Sequence, residues 1–457
     1  MVAWALRESD LKSYPHFDQS LSTGEAMALA NDPARVATHN FYPFIRYIDG
    51  WRRFANKGDV REPKLRPIRY AARADAYIFS RYRHILAERY EHILRENKID
   101  KCVLAYRRLR DHSGKGKCNI HFAKDAVLKI REIGDCCVIA LDISSFFESL
   151  DHAHLKAMWC RLLNVKRLPD DHFQVFKAIT RHSIVDKQQL YERLGHYGEK
   201  WKTNSGHSIK GYITKFEDMP RQLCTGKEFR KLVAGGDGRK NIIETNYKPY
   251  KIPQGAPISD LLANIYLFDF DCEVAELANG RGGAYFRYSD DILIVAPGGK
   301  ADGYEIMARV RALIGNYGSE LVIKEKKSSV FVFRKSENED QTFEKVFGQQ
   351  GRNGIEYLGF RYDGEHIFLR DSTLSNLYRK IAHTARYAAN SIARRFPNKD
   401  ASELASVFDY ESLIEQFGRV RNFEEKDREY KNWTFWTYVR RTSEILGPLE
   451  AVSKGVE

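Results

Sequence analysis

The sequence predicts a mixed α+β chain with a helical C-terminal domain, and three observations carry that prediction. The short apolar run Cys136-Cys137-Val138-Ile139-Ala140-Leu141 reads as a buried strand, and an acidic residue follows it directly. Residues 74–97 place Tyr77, Ile78, Tyr82, Ile85, Tyr90 and Ile93 at helical spacing among Arg and Glu. From about residue 365 the pattern turns helical and basic, with Arg379-Lys380, Arg394-Arg395 and Arg440-Arg441, and an aromatic group of Trp433, Phe435, Trp436 and Tyr438.

The remaining elements follow in chain order. Residues 196–240 are rich in Gly, Lys and polar residues, as an inserted, partly irregular segment would be. Asp260 to Asp271 (DLLANIYLFDFD) suits a helix packed by Leu261, Ile265 and Phe268. Phe286-Arg287-Tyr288 and Ile292-Leu293-Ile294-Val295 read as two strands joined at Ser289-Asp290-Asp291.

Composition narrows the partners. At 457 residues and 43% hydrophobic content, the chain can hold two or three domains with real cores. Its 74 Lys plus Arg against 61 Asp plus Glu give +13, which favours a polyanion, and nucleic acid first. A solvated basic surface is the competing reading of charge alone. Seven dispersed Cys with no C-x-x-C pair point to reduced thiols, neither a disulfide framework nor a zinc site. Met1-Val2-Ala3-Trp4 opens no apolar leader, and no run approaches the about 18 residues of a membrane helix. A soluble, cytoplasmic protein with no membrane partner is the expectation.

Tyr288-Ser289-Asp290-Asp291 is the sharpest local signal. Two carboxylates at a strand-to-strand turn repel each other and resist burial unless cations offset them, as a hard divalent metal does. Ser-Asp-Asp is also ordinary turn chemistry on a surface hairpin. Asp142 closes the Cys136–Leu141 run, where an unpaired carboxylate is costly, although it also suits a helix cap before Ser144-Ser145. Two strands ending in carboxylates can meet in one sheet and hold two metals about 3.5–4 Å apart. Between these segments, Pro253-Gln254-Gly255 gives a rigid turn, a polar amide and a glycine that permits close approach.

Taken in order, the Asp142, Gln254-Gly255 and Tyr288–Asp291 segments resemble motifs A, B and C of reverse transcriptases. Upstream, Arg66-Pro67-Ile68 followed by Asp75, and Ala105-Tyr106-Arg107 with Gly114-Lys115 and Asn119, are similar to the two fingers motifs. Downstream, Lys327-Ser328 is similar to motif D, and Ile355–Phe360 to motif E, the primer grip. The resemblance spans roughly residues 60–365. It implies a right-hand polymerase with an N-terminal extension and fingers over 1–134 and a palm over 135–364. The palm would carry an inserted segment at about 160–250, and a helical thumb would occupy 365–457. The 93 residues after Gly364 suit a thumb but not a thumb plus an RNase H or endonuclease domain.

By this resemblance, Asp142, Asp290 and Asp291 are catalytic and hold two Mg ions, with Mn as the alternative and the Ile143 carbonyl as a further ligand. Phe147 occupies the place of an aromatic steric gate against the ribose 2′-OH, and core packing beside Phe146 is its other reading. Gln254 and Gly255 line the incoming nucleotide, and Arg66 and Lys327 face its triphosphate. Arg107, Tyr288, Leu358 and Gly359 contact nucleic acid. Ala256 and Asp260 depart from the family pattern at the entrance of the helix after motif B. Trp433 and Trp436 suit base stacking or helix packing.

Within the family, the long stretch between motifs A and B and the Leu223–Arg230 segment look most like the bacterial unknown-group and abortive-infection enzymes, many implicated in phage defence. The implied function is RNA-directed DNA synthesis in antiviral defence. Its partners are an RNA template, a dedicated noncoding RNA among the candidates, then dNTPs and a DNA product, with a homo-oligomer left open. Template-independent or protein-primed synthesis is the enzymatic alternative. A non-catalytic RNA-binding scaffold, such as a splicing cofactor, is the alternative of another class.

Overall fold

The structure is a computed structural model that describes residues 4–51, 64–201, 208–336, 340–349, 351–418 and 435–452. The chain divides into two compact units: Met1–Tyr106 with Ile143–Glu273 and Ala312–Val322, and Arg107–Asp142 with Val274–Arg311 and Ile323–Glu457. The class is the mixed helix and sheet that the sequence predicts.

In the first unit, a four-stranded sheet takes Lys64–Tyr70, Phe44–Trp51, Ser183–Asp186 and Ile243–Thr245 in that order. Ser183–Asp186 runs parallel to Phe44–Trp51, and the other pairs are antiparallel. The helix expected over 74–97 spans Arg73–Glu96. It buries Tyr77, Ile78, Tyr82, Leu86, Tyr90 and Leu94, so the core line falls on Leu86 and Leu94 while Ile85 and Ile93 are half-buried. Its first turn is fixed by charge. Buried Arg73 pairs with Asp18, and buried Asp75 holds His39 Nε2 at 2.7 Å and the Tyr42 amide at 2.9 Å. Residues 187–245 are more regular than their composition suggests, with the helix Lys187–Arg193 and the antiparallel hairpin Tyr197–Trp201/Ser208–Tyr212.

Two buried histidines make this unit acid-sensitive. His16 Nδ1 accepts the Phe17 amide at 2.9 Å, and His182 Nδ1 donates to the Ile179 carbonyl at 2.9 Å. Burial pushes both imidazoles down to about 4. A histidine depressed in the fold stays neutral there, while the unfolded chain takes up a proton near pH 6.5. Stability is therefore full above about pH 6.5 and falls as pH drops towards 4, on the order of 3 kcal/mol per histidine. The expected result is a melting temperature on the order of 10 °C lower at pH 4.5 than at pH 7. His182→Asn, which keeps the donor, should flatten that acid limb. An unchanged limb would remove His182 from the explanation.

The second unit is built on a five-stranded antiparallel sheet in the order Gln341–Phe347, Ser329–Lys335, Cys136–Asp142, Asp291–Pro297, Ala284–Tyr288. Both faces of the sheet are covered, so its central strands are apolar throughout instead of alternating. Helix Asn119–Ile133 packs Ile120, Ala123, Val127 and Ile130 against Cys136, Val138, Leu293 and Val295. Helix Lys300–Leu313 lies on the other face so closely that a Cβ at Gly303 would meet Val330 at 2.6 Å. A three-stranded sheet of Ile355–Tyr357, Phe360–Tyr362 and Ile367–Leu369 extends the same core, with Val439 and Leu446 from helix Phe435–Leu446. Helix Asp371–Arg395 follows and buries none of its side chains. Trp436 donates to the Phe417 carbonyl at 3.1 Å, a helix-packing contact, whereas Trp433 lies outside the described residues.

The helix expected over 260–271 is two helices, Ser259–Tyr266 and Phe268–Asn279, interrupted at Leu267. Among the described residues no helix is long and apolar enough to cross a membrane.

Candidate active site

Strand register brings the acidic residues together. Cys136–Asp142 pairs with Asp291–Pro297 so that Asp142 faces Asp291. The neighbouring hairpin pairs Tyr288 with Asp291, which leaves Ser289 and Asp290 as its two-residue turn. Ser289 takes φ of 60°, a left-handed conformation uncommon for a residue with a side chain. Arg287, fully buried, donates from Nη1 to the Ser289 carbonyl at 3.0 Å and so fixes the turn from below. Asp142 ends its strand and caps no helix, and the Ser-Asp turn is no open surface loop, since Ser289 is 5% exposed.

These carboxylates are short of cations. Burial raises Asp290, and Asp142 beside it raises it further, while Lys327 offsets part of the shift. Asp291 opens to solvent at the floor of a cleft, yet the protein around it displaces much of its water. That desolvation, together with Asp290 and Asp142, pushes its carboxyl up to about 7 against the opposing effect of Arg370 and Lys327. Lys327 forms an ion pair with Asp142.

Oxygen-only donors with excess negative charge fit a hard divalent cation. Among the described residues, however, no three His, Cys, Asp or Glu side chains stand ready as a metal cage. The Lys327 ammonium already pairs with one oxygen of Asp142.

The cleft holds about 380 Å³ and is lined by Asp142, Tyr288, Asp291, Lys327, Leu358 and Gly359 among others. Leu358 has φ of 49° and Gly359 of 91°, a tight turn between two short strands. Asn119 Nδ2 donates to the Leu358 carbonyl at 3.1 Å and to the Tyr438 hydroxyl at 3.2 Å, tying that turn to two helices. Arg370 pairs with Glu356 on the cleft wall, and the Tyr357 hydroxyl is buried there with no hydrogen-bond partner among the described residues. Arg107 is half-buried and stands apart from the cleft lining. Sequence reasoning missed Arg287, Glu356, Arg370 and the anchoring role of Asn119. A charged residue inside the Phe286–Tyr288 strand was the one available signal.

The candidates Arg66, Phe147, Gln254 and Gly255 belong to the first unit, where the last three form a second grouping. The Arg69 amide donates to the Gln254 carbonyl, and the Ile252 amide to the Phe147 carbonyl, both at 2.9 Å. Buried Arg69 pairs with Glu148 at 2.7 Å, and Lys251 reaches the same carboxylate at 2.6 Å. Phe146 enters the core, and Phe147 is half-buried with its ring centre 5.8 Å from that of Phe146. Arg66 is exposed on its strand, and Ile143 is fully buried. The departure at Asp260 has a structural reason: Arg83 on the long helix pairs with it at 2.9 Å.

Gly255 is the tightest point of this grouping. Its φ is 112°, and a Cβ there would stand 2.5 Å from the Arg69 carbonyl oxygen. Gly255→Ala should therefore lose on the order of 3 kcal/mol in urea unfolding and part the loop from the strand. Unchanged unfolding would show that the loop reaches Arg69 by another route.

Residues 224–362 match the family model described as reverse transcriptase (RNA-dependent DNA polymerase). No curated protein matches the chain. Among solved structures, an apo telomerase from Candida tropicalis truncated from its C-terminal domain is similar with a TM-score of 0.39 and 10% identity, over 79% of this chain and 64% of that one. A second apo telomerase from Candida tropicalis gives 0.39 and 9%, over 90% and 66%. A Candida albicans telomerase in complex with a TWJ fragment of telomeric RNA gives 0.39 and 11%, over 91% and 61%. The chain thus spans less than two thirds of the length of these proteins. The matched segment contains Gln254, Gly255, Tyr288, Asp290, Asp291, Lys327, Leu358 and Gly359, and it leaves out Asp142. Residues 224–362 are thus similar to a reverse transcriptase (RNA-dependent DNA polymerase) domain.

Proposed function

We propose that the chain is a right-hand polymerase that copies RNA into DNA by two-metal nucleotidyl transfer, with fingers to residue 134, a palm over 135–364 and a thumb from 365. One observation carries the reading. Asp142 lies outside the matched segment, yet strand register sets it against Asp291 within that segment. A polymerase needs such a carboxylate from each of two strands.

Asp142, Asp290, Asp291 and the Ile143 carbonyl would hold two Mg ions, or Mn in their place. When bound, these supply charge neutralisation and Lewis acidity at the 3′-oxygen and the leaving pyrophosphate. The chain's own residues do the rest. Lys327 would supply a proton to the departing group, and Arg66 and Gln254 would hold the incoming dNTP. Phe147 would exclude a ribose 2′-OH by contact, and Gly255 would give the nucleotide room. Tyr288, Leu358 and Gly359 would seat the growing DNA strand, and Arg107 the RNA template.

The resemblance in the motif A–B stretch supports placing the enzyme with the bacterial unknown-group and abortive-infection branch. Its setting would be the cytoplasm, its template a dedicated noncoding RNA and its role antiphage defence, as a monomer or a homo-oligomer.

Extension of a primer on a heteropolymeric RNA, with product sequencing, tests the proposal. Magnesium-dependent DNA complementary to the RNA is the expected product. Homopolymeric or protein-linked DNA would replace the templated reading with untemplated or protein-primed synthesis. RNA binding without incorporation would favour a scaffold.

A further inference from the structure

Lys187 opens the helix Lys187–Arg193 in the first unit, and three tyrosines from separate elements surround its ammonium. Its Nζ stands 5.4 Å from the Tyr191 ring centre and 5.9 Å from those of Tyr47 and Tyr212. Tyr47 comes from the strand Phe44–Trp51, and Tyr212 from the hairpin strand Ser208–Tyr212. Tyr212 also meets Tyr197 at 5.2 Å and Tyr191 at 6.0 Å, so the rings form one continuous cluster. Among the described residues no carboxylate pairs with Lys187.

Ring faces offset part of the desolvation of an ammonium, but they leave its charge in place. The cluster is also open. Tyr47 is 40% exposed, Tyr212 49% and the adjoining Ile213 50%. The segment that supplies Tyr212, residues 196–251, has 12 Lys or Arg against 6 Asp or Glu. Exposed rings around an uncompensated cation, in a segment with excess positive charge, complement a ligand with both flat apolar faces and phosphates. Single-stranded nucleic acid has both, whereas a duplex hides its base faces in its own stack.

We propose that this tyrosine-and-lysine surface binds single-stranded RNA, with bases stacking on Tyr47 and Tyr212 and a phosphate meeting Lys187. The choice of RNA over DNA rests on the reverse transcriptase reading; the stacking and charge arguments do not.

Anisotropy of a short labelled, unstructured RNA, with EDTA present to prevent synthesis, tests the surface directly. Tyr212→Ala and Tyr47→Ala should each weaken binding about tenfold, the loss of one stacked base. Lys187→Gln should weaken it and reduce the salt slope by about 0.7, while Lys187→Arg should restore both. Crosslinks from 4-thiouridine RNA should fall in peptides containing Tyr47 or Tyr212. With folding checked by circular dichroism, wild-type affinity in both tyrosine variants, or crosslinks only elsewhere, overturns the proposal. Equal loss of single-stranded and duplex RNA overturns the stacking. Tyrosine variants that lose self-association but keep RNA assign the surface to a second copy of this chain. A single-stranded DNA of the same sequence that binds tighter than the RNA overturns the choice of strand. If the polymerase reading alone fails, the wild type incorporates nothing while these variants still lose RNA.

Discussion

Asp290→Ala should abolish nucleotide incorporation, by about 10³-fold or more, and leave the metal-free protein as stable as before or more so. The two halves of this expectation have one cause. Burial and the neighbouring carboxylates hold Asp290 and Asp291 in a state that disfavours their charge. Removing one carboxylate from that group relieves repulsion in the absence of metal. The same removal deletes a ligand from a site whose charge stabilisation is worth several kcal/mol at the transition state, and about 4 kcal/mol corresponds to the stated factor. Asp142→Ala should match it in activity, although it also releases Lys327 from its ion pair, so its stability gain should be smaller. Primer extension and thermal melting in EDTA check both halves. Near-wild-type extension by Asp290→Ala would sink the assignment of this cleft as the catalytic centre. A large fall in metal-free stability would show instead that the carboxylate is a structural ligand of the turn.

The site was legible where chemistry and periodicity disagreed with burial. Cys136–Leu141 and Ile292–Val295 read as strands because both faces of their sheet are covered, which makes the apolar runs continuous. Aspartates at their ends stood out because nothing local neutralises them. The register Asp142–Asp291 then needed only that the two strands be neighbours. Side chains that act across long sequence separations left no such trace. Glu148 follows Phe147 and was passed over, since only the fold brings Arg69 and Lys251 to it. Asn119 fits a fingers motif, but its hold on Leu358 spans 239 positions. The hairpin at 197–212 was hidden for another reason. Its strands put Gly198 and Gly211 opposite one another and expose most of Ser208–Tyr212, so the period-two contrast that marks a strand is missing. The break at Leu267 was invisible because apolar residues continue through it without a turn-forming residue.

Lys327→Gln should move metal binding and turnover in opposite directions. The Lys327 ammonium pairs with Asp142 and opposes the upward shifts of Asp290 and Asp291, so in the metal-free protein it acts as the resident counter-ion of the group. A divalent cation that binds there must work against that positive charge. At about 6 Å and a water-like dielectric of about 80, one unit charge acting on a divalent one is worth about 1.4 kcal/mol, a factor of about ten in affinity. Lys327→Gln should accordingly bind Mn²⁺ about tenfold tighter, as read by electron paramagnetic resonance of the free ion. Extension should nevertheless slow by about 10²-fold, because the glutamine amide supplies no proton to a departing pyrophosphate. Lys327→Arg keeps the charge but donates its proton poorly, so its metal affinity should stay near wild type while its rate falls. That variant separates the two roles. Unchanged Mn²⁺ affinity in Lys327→Gln would show that the ammonium leaves Asp142 before the metal arrives, and that its contribution belongs to the nucleotide alone.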